Sequence, residues 1–171
     1  MVCYPVLAPA DLAAIEAFRH RHEPRRAKAI LPHVTLVFGA GAIPEDELVG
    51  RLFDEASTTA PFPLTLDSPE PYRDPLRGER KVFLKVKGGR EQVKRLYRAL
   101  NRDAPLAPYA FDPHMTIASP ESEGALATAV SEAASLPVPI SAMATALQLL
   151  RFDGDRIVPL GEFAFGPQPG P

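Results

Sequence analysis

The sequence predicts a single α+β domain of two similar lobes, a duplicated α/β unit with antiparallel-rich sheets around a central cleft. Two observations predict it. The phrase Pro32-His33-Val34-Thr35-Leu36 returns 81 residues later as Pro113-His114-Met115-Thr116-Ile117, and the order of strands and helices around each phrase repeats with it. A third observation sets the scale: at 171 residues and 46% hydrophobic, the chain can enclose one sizeable core. A period of about 80 is too long for a solenoid and suits two lobes about a pseudo-twofold axis.

The elements follow in order. Val2 to Val6 reads as a short strand, with Pro5 favouring its end or an edge. Leu12, Ile15 and Phe18 recur at helical spacing and predict a helix from about Pro9 to His22. Leu31 to Phe38 is a strand carrying the first phrase, broken by Gly39-Ala40-Gly41. Pro44-Glu45-Asp46-Glu47 opens a helix with proline in its first turn and acids at the positive end of the dipole. Leu48, Leu52 and Phe53 supply its buried stripe, and Phe62 to Leu66 is a further strand.

The second half repeats the order. Lys81 to Lys87 alternates charged and apolar residues, the period of a half-buried strand, except that Phe83 breaks the alternation. Val93, Leu96, Tyr97 and Leu100 make a helix stripe, and His114 to Ala118 is the second phrase's strand. Ser119-Pro120-Glu121-Ser122-Glu123 caps and opens a helix to about Ser135. Ala144 to Phe152 and Arg156 to Phe165 flank Asp153-Gly154-Asp155 as a β-hairpin. The lobes span about 1–68 and 80–165, joined by a loop from Pro69 to Arg80, and 166–171 is a Pro/Gly tail.

The net charge is only −2, but it is unevenly placed. Sixteen of the 19 Lys and Arg residues fall between Arg19 and Lys28 or between Arg73 and Arg102, windows holding four of the 21 acids. Such asymmetry marks an anion-binding side on a nearly neutral protein. Cys3 is the only cysteine, which excludes an intrachain disulfide and a cysteine-based metal site. The N-terminus has no basic stretch followed by an apolar core, and no run of about 18 apolar residues occurs, so a cytoplasmic, non-membrane monomer is expected.

In a strand, residues i and i+2 share a face, about 6.6 Å apart. His33 and Thr35 therefore project together, and so do His114 and Thr116. Two imidazoles and two hydroxyls on one site suit phosphoryl chemistry without a metal. One neutral imidazole can deprotonate an attacking water or hydroxyl, and the other, protonated, can serve the leaving oxygen. The threonine hydroxyls can donate to phosphate oxygens as charge develops. No third Cys, Asp or Glu accompanies the histidines at metal-ligand spacing, so neither metal nor cofactor is expected.

The paired Pro-His-x-Thr phrases, their separation, the duplicated order and the closing hairpin resemble the two-histidine (2H) phosphoesterase superfamily. The nearest likeness is to its bacterial branch of 2′,5′-RNA ligase-like proteins and RNA 2′,3′-cyclic phosphodiesterases. By that resemblance His33, Thr35, His114 and Thr116 form the catalytic and phosphate-binding quartet. The reaction it implies opens a 2′,3′-cyclic phosphate to a 2′-phosphate, or handles a 2′,5′ linkage, at an RNA end or on a small nucleotide. One departure is Asp112-Pro113 ahead of His114, where many members carry a basic residue. The competing reading is a module of the same fold that binds RNA ends or nucleotides with little turnover.

Around the quartet, Arg73, Arg80 and Lys81 are candidate phosphate contacts, Tyr72 and Tyr109 candidate stacking partners for a base, and Phe38 a candidate lining residue. His20 and His22 flank Arg21 at a helix end and read as solvated or dipole partners rather than site residues.

Overall fold

The computed structural model describes residues 1–37, 43–74, 78–102, 110–153 and 156–166. In chain order the elements are β1 (Val2–Cys3), β2 (Val6–Leu7), α1 (Pro9–His22), α2 (Pro24–Ala29), β3 (Val34–Thr35), α3 (Glu45–Ser57) and β4 (Phe62–Arg73). They continue with β5 (Arg80–Gly88), α4 (Arg90–Leu100), β6 (His114–Ala118), α5 (Glu123–Ala133), β7 (Ile140–Ala144), β8 (Ala146–Asp153) and β9 (Arg156–Ala164). The nine strands form one sheet in the order β2-β7-β4-β5-β6-β3-β1-β8-β9, antiparallel at every pairing. This is the α+β, antiparallel-rich fold expected from the duplicated order.

The duplication is visible about the β3–β6 pair at the middle of the sheet. β1, α1 and β3 on one side correspond to β5, α4 and β6 on the other, each a strand, a helix and then the strand of a His-x-Thr phrase. The two arms of the sheet are not the two halves of the chain. β4, which precedes residue 80, pairs with β5 and β7, and β8 near the C-terminus pairs with β1. The later strands thus cross the division at about residues 68–80 that local sequence suggests, because partner choice is long-range and leaves no local signal.

Beneath one face of the sheet lies the core, including Val34, Leu84, Met115 and Ile117, all fully buried. Several boundaries differ from expectation. The segment expected as a loop from Pro69 carries strand instead: β4 runs to Arg73 and pairs residue by residue with β5 from Pro69 on, and just beyond it the Asp74 N–H donates to the Glu79 carbonyl. Pro69 and Pro71 are tolerated because β4 contacts β7 only over Phe62–Leu66. Beyond that it is an edge, where a missing N–H costs no ladder bond.

Phe53 is 47% exposed, whereas Leu48 and Leu52 are buried, so α3 turns a narrower stripe to the core than expected. The strand expected over Leu31–Phe38 is regular only at Val34–Thr35. A short helix, α2, follows α1 directly, with Pro24 in its first turn. Ser122 rather than Ser119 caps α5, accepting from the Ala125 N–H. Ser119 is engaged elsewhere, donating its hydroxyl to Glu23.

One glycine is required by position. Gly89 links β5 to α4 at φ +74°, and a Cβ there would lie 2.5 Å from the Pro63 carbonyl oxygen and 2.7 Å from Leu64 Cδ2.

Candidate functional site

The site begins at the pairing of the two phrase strands. Val34 of β3 lies opposite Met115 of β6 in antiparallel register. Counting outward from that pair sets His33 opposite Thr116 and Thr35 opposite His114. Successive strand residues alternate faces. Val34 and Met115 point into the core, while His33, Thr35, His114 and Thr116 are half-buried on the other face. Two strands in direct contact therefore carry all four groups as a crossed pair of His-Thr couples.

Both histidines are held alike. His33 Nδ1 lies 2.8 Å from the Leu31 carbonyl oxygen, and His114 Nδ1 lies 2.7 Å from that of Asp112. A carbonyl can only accept, so each Nδ1 carries the proton and donates it. Each Nε2 keeps a lone pair. The same two-residue reach back across a proline produces the same tautomer twice.

Burial pushes the His33 imidazole down to about 4, its bond to the Leu31 carbonyl opposing this and the Arg26 and Arg19 charges adding to it. His114 is lowered too, first by burial. Its Asp112 carbonyl bond and the Asp112 carboxylate act against the shift, and Lys85 and Lys81 act with it. Both rings are thus neutral near pH 7.

The same burial links stability to pH. A free imidazole titrates near about 6.5, so between about 6.5 and about 4 the unfolded chain binds a proton that folded His33 refuses. Stability is therefore expected to fall as pH drops through that window and to lose nothing more from this group below it. Urea unfolding of wild type and His33→Gln across that range should show a shallower slope for the variant. Identical slopes would mean that the imidazole is solvated.

The flanking strands complete the surroundings. On β5, Phe83 lies opposite Thr116 and Lys85 opposite His114. The Phe83 ring stacks on His114 at 3.7 Å between centroids, and Tyr72 of β4 stacks on Phe83 at 4.8 Å. On the other side Tyr4 meets His33 edge-on at 5.9 Å. Lys85 Nζ is 2.7 Å from Asp112 Oδ2 and 3.5 Å from Glu70 Oε2, and Arg90 also pairs with Asp112. Burial acts to raise the Asp112 carboxyl, but Lys85 and Arg90 outweigh it and hold the group below its usual range.

Of the residues expected around the quartet, Tyr72 reaches it through Phe83. Arg73 and Arg80 pair with each other across β4 and β5, and both grip Glu123 at the start of α5. They sit five residues along β5 from Lys85, about 16 Å from the level of His114, and the structure does not bring them to the quartet. Lys81 pairs with Glu79 at 2.8 Å, yet its charge reaches His114. Phe38 and Tyr109 lie outside the described residues. His22 bonds Glu132 of α5 at 2.9 Å, and His20 faces Glu16, both away from the quartet.

Sequence reading missed Phe83, Lys85, Tyr4 and Arg26. Only Phe83 left a signal, its break in the alternation. Among the described residues no three His, Cys, Asp or Glu side chains gather as a metal site. No described helix is long and apolar enough to cross a membrane.

The family model described as "2'-5' RNA ligase superfamily" matches residues 6–156. The chain belongs to this superfamily. The likeness carried by the two His-x-Thr phrases therefore holds at the family level, within the 2H phosphoesterases. No curated protein sequence matches this superfamily member.

Solved structures share its fold. TT0787 of Thermus thermophilus is 22% identical, with TM-score 0.59 over 98% of this chain and 99% of that one. A phosphoesterase of known crystal structure is also 22% identical, with TM-score 0.58 over 96% and 97%. E. coli LigT, crystallised with 3'-AMP, is 20% identical with TM-score 0.58 over 96% and 97%. The same LigT has been crystallised with ATP.

Proposed function

We propose that this 2H superfamily member is a metal-independent phosphodiesterase acting on 2′,3′-cyclic phosphate or 2′,5′-phosphodiester ends of RNA or nucleotides. The observation that carries the reading is the crossed quartet: two imidazoles, each with Nδ1 tied to a carbonyl and Nε2 left as the reactive nitrogen, beside two hydroxyls on one face. One Nε2 takes a proton from the attacking water, whose oxygen bonds to phosphorus. The other imidazole, protonated, donates to the ribose oxygen as its bond to phosphorus breaks, leaving a monoester. Thr35 and Thr116 donate hydrogen bonds to the non-bridging oxygens. Because both rings rest neutral, the anionic phosphate itself must favour protonation of one of them, as a negative charge near an imidazole does. That LigT has been crystallised with 3'-AMP and ATP is in keeping with a nucleotide-sized ligand.

The test is hydrolysis of 2′,3′-cyclic AMP in EDTA, with the product resolved as 2′- or 3′-monophosphate. Turnover should persist without divalent cations. Loss in EDTA, restored by added metal, would sink the metal-independent mechanism. Binding without turnover would favour a nucleotide-binding module.

A further inference from the structure

His114 has a contact that His33 lacks. Phe83 lies face-on to its imidazole, 3.7 Å between centroids and 22° between planes, and Tyr72 continues the stack. Tyr4 meets His33 only at its edge, at 72°. Alternation along β5 sets Phe83 on the face of Lys85, away from the buried Val82, Leu84 and Val86. The register with β6 shifts between Val82 and Phe83, so that Val82 lies opposite Ala118 and Phe83 opposite Thr116. The extra residue is Ile117, so the bulge belongs to β6, next to Thr116. Phe83 is thus an apolar ring on the polar face of the sheet, beside Thr116 and two residues from Lys85. There it is still only 4% exposed, lying between His114 and Tyr72.

We propose that Phe83 is a positioning residue for His114: its ring, backed by Tyr72, fixes the plane of the imidazole so that Nε2 keeps one aim. This rests on the reading of His114 as a proton-transfer group. The terminal torsion of histidine is broad and roughly twofold, and the single bond from Nδ1 to the Asp112 carbonyl leaves the ring free to rock about that contact. A face-on ring removes that freedom. The aromatic face also favours the imidazolium form. The other charged groups around His114 are Lys81 and Lys85 on β5, the Asp112 carboxylate with Arg90 of α4 upon it, Glu70 of β4 on Lys85, and His33 on β3.

The experiment compares wild type with Phe83→Leu, Phe83→Tyr and Tyr72→Leu. It measures kcat and KM for 2′,3′-cyclic AMP and an NMR titration of the His114 ring. Phe83→Leu should lose about 10- to 100-fold in kcat, the scale of a misaimed catalytic group, with KM held within about twofold. The His114 pKa should drop by about half a unit, and its ring protons should lose their upfield displacement. Phe83→Tyr should restore all three. Wild-type kcat and unchanged His114 resonances in Phe83→Leu, or equal impairment of the Leu and Tyr variants, would overturn the proposal. Should Phe83→Leu not fold, Tyr72→Leu decides: a smaller change of the same sign supports the stack, and a wild-type His114 spectrum refutes it. If wild type turns over no cyclic phosphate, the functional reading falls, while the NMR comparison still decides how His114 is held.

Discussion

Replacing either His33 or His114 with alanine is expected to lower kcat for a 2′,3′-cyclic phosphate by about 10²- to 10⁴-fold, the usual worth of a positioned acid or base. KM should change far less, because the threonine hydroxyls proposed to meet the phosphate remain. Replacing both should cost little more than the worse single change, since proton removal and proton donation belong to one step. Neither change should unfold the protein. Each ring is half-buried, and its one described hydrogen bond runs to a carbonyl in an irregular segment. Steady-state kinetics of the three variants, with thermal unfolding alongside, checks this. Retention of wild-type kcat in both single variants would end the two-histidine mechanism.

The largest effect on stability is expected at Arg19, which is 1% exposed in the middle of a charged network. Its Nε donates to Glu23 Oε1 at 2.7 Å and its Nη1 to Glu16 Oε1 at 2.8 Å. The second oxygen of Glu23 accepts from the Ser119 hydroxyl at 3.0 Å, which joins the end of α1 to the end of β6. Arg19→Met would leave the buried Glu23 carboxylate with that hydroxyl and with Arg26 only at 3.9 Å. Breaking a buried pair from one side costs about 3–5 kcal/mol, because the remaining charge is uncompensated. Urea unfolding should show that loss, and Arg19→Met combined with Glu23→Gln should recover most of it. A single variant within about 1 kcal/mol of wild type would mean that water reaches Glu23.

Much of the site was legible because its chemistry is written in local pattern. The alternation within His-Val-Thr and His-Met-Thr assigns two residues of each phrase to one face, and the observed burial alternates in just that way. The start of α1 was readable because Pro9 opens it, and its apolar spacing reaches Phe18, one turn short of the end. The outer ring of the site was not legible. Arg73 and Arg80 looked like phosphate contacts from their charge, but Glu123, more than 40 residues later, takes both. Lys85 looked like one more solvated lysine on an alternating strand. Only its pairing with β6 sets it opposite His114, against Asp112.

By itself, then, the sequence determined the four polar groups, their strand faces, the duplicated order of elements and the family, because all of these rest on spacing along the chain. Tertiary structure alone decided that β3 and β6 are direct neighbours, that the later strands cross between the arms, and that the pairing of β5 with β6 lays Phe83 on His114. Those outcomes depend on which strands hydrogen-bond to which, and on register shifts of a single residue. Such choices are settled by the packing of the whole sheet and leave almost no mark on any one segment.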